Sequence, residues 1–167
     1  MKHQIYLALG TNLGDKLHNL AEALHHLQAA VTLNGISPCY DTPPWGITDQ
    51  PRFLNMACSG ATALTPQELL AFVKDIEASM GRHKEIRNGP RVIDIDILFY
   101  DDCVLHEERL TIPHPRLHER AFVLVPLADI AGDVVHPLTK KTVAEMLKTV
   151  DLQDIERLPL DPSSFIA

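Results

Sequence analysis

The chain has 167 residues, 15 of them Lys or Arg and 22 Asp or Glu, so its formal net charge is −7 with histidine neutral. Apolar residues make up 46% and charged residues 22%, an ordinary globular balance, and the length predicts a single domain over 1–167 with a real core. An acidic chain argues against general nucleic-acid binding, and no apolar run approaches the roughly 20 residues that span a bilayer.

Ile5 to Leu9 reads as a first strand ended by Gly10. Leu17, Leu20, Leu24 and Leu27 then recur at helical spacing, predicting a helix from about Asp15 to Ala30. A second strand is expected over Leu33 to Tyr40, interrupted by Gly35 and Pro38, and a proline-rich loop from Thr42 to Pro51. Phe53 to Leu64 has strand character. Thr65-Pro66-Gln67-Glu68 is a helix start, with Thr as N-cap and Glu three residues on, and Gly81 is the stop after Met80. Residues 82–90 form a polar loop. Arg91 to Tyr100 alternates, with Ile93, Ile95, Ile97 and Phe99 on one face and Val92, Asp94, Asp96 and Leu98 on the other. Val104-Leu105 and Leu110-Ile112 suit a small ribbon. Ala121 to Ile130 reads as a helical turn broken near Pro126, Thr142 to Glu145 as a capped last helix, and the tail from Asp151 as a surface wrap. The order β-α-β-β-α-β predicts a ferredoxin-like α+β fold. Its antiparallel sheet would carry both helices on one face, and the C-terminal additions would complete an αβα sandwich.

The N-terminus runs straight into the first strand and carries no signal-peptide pattern. Cys39, Cys58 and Cys103 lack CxxC spacing, which argues against a disulfide scaffold or zinc site and fits a reducing cytoplasm. Nine histidines include no HExxH pair.

Asp94-Ile95-Asp96 is the sharpest local feature. Alternate strand residues share a face roughly 7 Å apart, and two carboxylates so placed suit a hard divalent cation with phosphate oxygens between them. Taken alone, the D-x-D pattern is more often a solvated strand face. The segment before it changes that weighting. Arg82, Lys84, Arg87 and Arg91 stand against Glu85, a local +3, so the other 157 residues carry −10. A cationic loop feeding a carboxylate strand is suited to holding polyphosphate and its metals. There is no Walker A or GxGxxG motif, and Gly10-Thr11-Asn12-Leu13-Gly14 reads better as a strand-to-helix cap than as a phosphate cradle. His114 could donate to a phosphate and Arg120 could do so from one turn later, although a His between two prolines is more often an ordinary loop residue. Thr42 to Asn55 offers ring faces in Trp45 and Phe53 and an amide in Asn55, the parts of a flat heterocycle slot. By composition alone, Trp45 and Phe53 are better read as core.

Gly89-Pro90-Arg91-Val92-Ile93-Asp94-Ile95-Asp96-Ile97-Leu98 resembles the signature of the 6-hydroxymethyl-7,8-dihydropterin pyrophosphokinase family. Leu9 to Gly14, Tyr40 to Gly46, Phe53-Leu54-Asn55, Ile76-Glu77 with Gly81-Arg82, and Leu110 to Pro115 with Arg120-Ala121-Phe122 resemble its other motifs, in its order. The resemblance implies transfer of pyrophosphate from ATP to the pterin hydroxymethyl oxygen, with release of AMP, in folate biosynthesis. It implies two Mg²⁺ ions on Asp94 and Asp96, with Arg82 and Arg91 joining them in catalysis. ATP contacts are implied for Glu77, Arg82, Lys84, Arg91, His114 and Arg120, with Arg109 and Thr111 as lesser candidates. The pterin would lie between Phe53 and Phe122, its edge read by Asn55 and by groups at Thr42, Pro43 and Trp45, with Asn12 orienting the substrate. The loops at 45–52 and 82–90 would close over it, and a monomer is implied. Three positions depart from the pattern. Asn88 replaces an aromatic found in some members, Phe53 stands where Tyr also occurs, and Pro115 follows His114 where others have an aromatic hydroxyl. Two other classes remain, a non-catalytic ligand-binding module and a two-metal phosphohydrolase. The first leaves the coincidence of the carboxylates and the basic loop without a purpose, and the second gives none to the Thr42–Asn55 slot.

Overall fold

β1 (His3–Thr11) is the spine of the fold. Ile5, Leu7 and Leu9 are buried on one face of it, while Tyr6 and Ala8 pack on the other. In this computed structural model residues 1–44, 48–81, 91–152 and 154–159 are described. After β1 come α1 (Lys16–Leu27), β2 (Val31–Ile36), β3 (Tyr40–Thr42), β4 (Phe53–Thr62), α2 (Pro66–Ser79) and β5 (Asp94–Tyr100). A ribbon of β6 (Leu105–His106) and β7 (Thr111–Ile112) leads to α3 (Ala121–Ala131), α4 (Val143–Leu147) and β8 (Glu156–Arg157).

The sheet runs β5-β1-β4-β3-β8, with β2 also on β4, and every pairing is antiparallel. With β2 and β3 sharing the place of one strand, this is the expected ferredoxin-like order. One core lies between the sheet and α1 with α2, built on Leu20, Leu24, Leu69 and Val73. The other lies between the sheet and α3 with α4, built on Leu98, Phe99, Leu124 and Val143. The layers are therefore αβα.

The caps hold α1 and α2 where the sequence puts them. Asp15 accepts from the His18 N–H at 3.1 Å, Thr65 and Glu68 form a capping box, and Gly81 takes φ +95° to end α2. α1 stops three residues short of the expected Ala30, because residues 28–30 close in tighter i to i−3 bonds.

Four expectations are corrected. The strand expected from Leu33 to Tyr40 is two strands. Pro38 has no N–H for the ladder, and Ser37 exchanges bonds with Ala57 through its own N–H and hydroxyl before the chain resumes pairing at Tyr40. Phe99 does not share a face with Ile97. A register shift pairs Tyr6 with Phe99 but Leu7 with Ile97, so Leu98 is the extra residue and Phe99 turns to the α3 side, edge-on to Tyr6 at 6.0 Å. α3 runs unbroken through Pro126. The proline removes one helical hydrogen bond, but Val123, Leu124 and Leu127 bury a face strong enough to hold the helix. The tail does more than wrap the surface, because β8 extends the sheet by pairing with β3.

Candidate active site

The α3 face of the sheet changes character toward one end. Gly10 on β1 stands opposite Asp94 on β5 and Asn55 on β4, and Ala8 stands opposite Asp96 and Ala57. Neighbouring strands are about 4.8 Å apart, so Asp94 and Asn55 flank the glycine at about 10 Å from one another. The small residues make a floor between an acidic edge and an amide. Glycine is required at position 10, because a Cβ there would lie 2.6 Å from Asn55 Oδ1.

Asn55 is buried, and its Nδ2 donates to Thr42 Oγ1 at 2.6 Å. That bond turns Oδ1 toward Gly10, as an acceptor at the edge of the floor. Phe53 lies two residues back on the same face of β4, and Phe122 stands in the first turn of α3.

Burial, and next the Asp94 carboxylate, push Asp96 up to about 7, against the opposing pull of Arg120 and Lys74. The two carboxylates thus crowd negative charge at this edge, an arrangement that a bound cation would stabilise. His114 Nε2 sits 4.0 Å from Asp96 Oδ2. Burial, and next the Arg120 charge, lower His114 to about 4, so its ring is neutral at pH 7. Its Nδ1 accepts from the Arg116 N–H at 3.2 Å, which assigns the ring proton to Nε2, facing the carboxylates. The Arg120 guanidinium lies 5.6 Å above the Phe122 ring and within electrostatic reach of both aspartates. It joins the acidic edge to the aromatic wall. Among the described residues no group of three or more His, Cys, Asp or Glu side chains forms a metal cage. Two carboxylates completed by phosphate oxygens and water are the donor set of Mg²⁺.

Comparison with known proteins shows the family. The family model of 7,8-dihydro-6-hydroxymethylpterin-pyrophosphokinase matches residues 6–132. The chain belongs to that family. It is 50% identical over 155 residues to 2-amino-4-hydroxy-6-hydroxymethyldihydropteridine pyrophosphokinase of Methylorubrum extorquens, covering 92% of this chain and 97% of that one. It is 47% identical over 136 residues to the protein of the same name from Bacillus subtilis, covering 80% and 81%. The mitochondrial folate synthesis bifunctional protein of Arabidopsis thaliana is 47% identical over 135 residues, and the match spans 80% of this chain but only 24% of that longer protein. Among solved structures, wild-type HPPK-DHPS of Plasmodium falciparum superposes with a TM-score of 0.72 at 17% identity, over 89% of this chain and 44% of that one. At that identity the likeness concerns the fold alone.

The pyrophosphokinase motifs fall on this site unevenly. Asp94, Asp96, His114 and Arg120 gather at one edge, and Thr42, Phe53 and Asn55 at the other. Thr111 is half-buried in β7, while Arg109 is exposed on the turn of the ribbon. Trp45, Arg82, Lys84 and Asn88 lie outside the described residues. Glu77 is buried on α2. Its Oε2 accepts from the Ile95 N–H at 2.7 Å and its Oε1 holds Lys74 Nζ at 3.1 Å. It therefore braces β5 between the two aspartates.

Asn12 is also inward. It is 1% exposed, with both Nδ2 protons donated, to Gln50 Oε1 and the Pro51 carbonyl, and Oδ1 accepting from the Arg91 N–H. Its amide ties the first loop to the start of the β5 segment, where the resemblance implied a substrate contact. Gln50, Lys74 and Arg52 carry bonds around the site that sequence reasoning did not assign. The charge of Lys74, three residues before Glu77 on one helix, was the only signal available for any of them.

Proposed function

We propose that ATP and the pterin meet on the α3 face, above Gly10 and Ala8, with the pterin at the Asn55 side and the polyphosphate at the Asp94–Asp96 edge. The reaction is the family's own, transfer of pyrophosphate from ATP to the 6-hydroxymethyl group of 6-hydroxymethyl-7,8-dihydropterin. The observation that carries the reading is the single rung Asp94–Gly10–Asn55, which sets an amide reader and a metal carboxylate either side of a residue with no side chain.

Asp94 and Asp96 would hold two Mg²⁺ ions, which when bound neutralise the bridging phosphate oxygens during attack at the β-phosphorus. His114 donates a hydrogen bond from its Nε2–H to a phosphate oxygen, and Arg91 and Arg120 hold the anion in line, with Arg82 and Lys84 as further phosphate contacts on the strength of the family resemblance. Asn55 Oδ1 accepts from an N–H on the pterin edge, Thr42 fixes that amide, and the pterin ring lies between Phe53 and Phe122 beside Pro43 and Trp45. Positioning and charge carry most of the rate. Every group in this scheme comes from one chain, so a monomer suffices. The cysteines are free, which suits the cytoplasm, and no helix among the described residues is long and apolar enough to cross a membrane.

Product analysis with ATP, Mg²⁺ and the hydroxymethyl dihydropterin tests the reading. Pterin-dependent AMP is expected. ADP or free phosphate would favour a phosphohydrolase, and no turnover a binding module.

A further inference from the structure

Arg52 stands between the first loop and Phe53, and its guanidinium is held on two sides. Nε donates to the Asp41 carboxylate on β3. Nη1 donates to the Asp154 carboxylate and Nη2 to the Asp154 carbonyl, both at 2.7 Å. The Arg52 carbonyl in turn accepts from Lys16 Nζ at 2.9 Å, which fixes its backbone as well. Asp154 takes φ +64°, a left-handed conformation that Asp tolerates better than most residues, and so offers two acceptors to one cation. Directly after it, β8 pairs with β3 through Tyr40–Arg157 and Asp41–Glu156, and Leu158 donates to the Cys39 carbonyl at 2.9 Å. The same C-terminal stretch reaches the opposite wall of the slot. Val150 and Ile155 share a cavity of about 500 Å³ with Pro43, Pro44 and Phe122.

We propose that the stretch 154–158 is a working part of the pterin slot, and that Arg52 and Asp154 are positioning residues that hold the Thr42–Phe53 edge at the spacing the pterin needs. This rests on the placement of the pterin above. Arg52 and Asp41 are about one-third exposed and Asp154 more, so the ion pairs add little to stability. Their value lies in direction, because a guanidinium fork held by two carboxylates admits one geometry, which a lysine ammonium would not reproduce. Phe53 is the next residue in the chain and lies opposite Thr42, so a tilt at Arg52 moves both the ring and the hydroxyl that fixes Asn55.

The test compares the 167-residue chain with its Arg52→Ala, Arg52→Lys, Asp154→Ala and double alanine variants. The measurements are KM for pterin, KM for ATP, kcat and Tm. Arg52→Ala is expected to raise the pterin KM about tenfold while the ATP KM and Tm stay near wild type, as a small misplacement of a binding wall would do. Asp154→Ala should give a smaller rise, and Arg52→Lys should lie nearer the alanine variant than wild type. The double variant should be no worse than Arg52→Ala, since both act through one contact. An unchanged pterin KM, additive effects, or both KM values rising together with a fall in Tm would overturn the proposal. Absence of pterin-dependent AMP from the wild-type protein would instead remove the functional reading itself, before any variant is compared.

Discussion

The two faces of the central sheet are built from the same strands to opposite ends. Toward α1 and α2, β1 and β5 present Ile5, Leu7, Leu9, Ile95 and Ile97, all buried among apolar helices. Toward α3, the intervening positions are Ala8, Gly10, Asp94 and Asp96. Strand alternation lets one segment serve both purposes. Large branched side chains on one face anchor the backbone, and that anchoring fixes two close carboxylates and a bare glycine on the other. Glu77 crosses this division, a buried acid of the apolar side whose bond to the Ile95 N–H holds the strand between its two aspartates. A site that needs small and like-charged residues is unstable by itself, so the stability must come from behind it.

Asp96→Ala should give the largest effect. Turnover is expected to fall about a thousandfold or more, the loss that follows removal of a central electrostatic group. Tm should hold or rise, because the variant relieves repulsion from Asp94. Near-normal turnover would break the division between the faces.

Leu9→Ala, on the apolar face next to Gly10, should behave in the opposite way. It is expected to lose about 2–5 kcal/mol of stability in denaturant unfolding, with substrate KM values close to wild type while the protein is folded. A selective loss of pterin binding instead would mean that the faces are not separable.

Gly10→Ala should act between these, raising the pterin KM by roughly tenfold to a hundredfold through its clash with Asn55 Oδ1, with little change in the ATP KM. Equal loss for both substrates would place the glycine's role in folding.

The smallest effect concerns pH. Asp96 is raised to about 7 in the metal-free protein, so the folded chain binds a proton that the unfolded chain releases. Its stabilising contribution is complete below the ordinary aspartate range and is lost as pH rises through 7. In EDTA, Tm should therefore fall between pH 5 and 8, and saturating Mg²⁺ should flatten that slope. The same proton competes with the metal, so apparent Mg²⁺ affinity should weaken by up to about tenfold per unit below pH 7. A Tm slope in EDTA unaffected by Asp96→Asn would trace it to other groups.

Much of this was legible in the sequence because it rests on short periods and fixed chemistry. The capping box at Thr65, the stop at Gly81 and the alternation from Ile93 to Ile97 are local, and each appears where the spacing puts it. The turn of Phe99 to the other face was not legible, since a bulge depends on the partner strand and leaves no local mark. The same holds for Pro126, where apolar burial overrides a local preference against helix. At the site, the alternation of the strand marked Asp94 and Asp96 as sharing one face, while the cationic loop lies outside the described residues except for Arg91. For Asn12 the resemblance implied a substrate contact, and the bonds of its amide to Gln50, Pro51 and Arg91 come from segments that no local pattern links to it. Arg52 and Asp154 are 102 positions apart, a separation at which no spacing rule operates.

On the proposed placement, one rung of the sheet carries the group that reads the pterin, Asn55, and a metal-holding carboxylate, Asp94, on either side of Gly10. A crystal structure with Mg²⁺, a non-hydrolysable ATP analogue and the hydroxymethyl dihydropterin tests it most directly. The pterin edge is expected on Asn55 Oδ1, the hydroxymethyl group above Gly10 and Ala8, and metal density on Asp94 and Asp96. A pterin that leaves Asn55 untouched and sits among Val150, Asp151 and Ile155, or a polyphosphate away from the two aspartates, would overturn that placement.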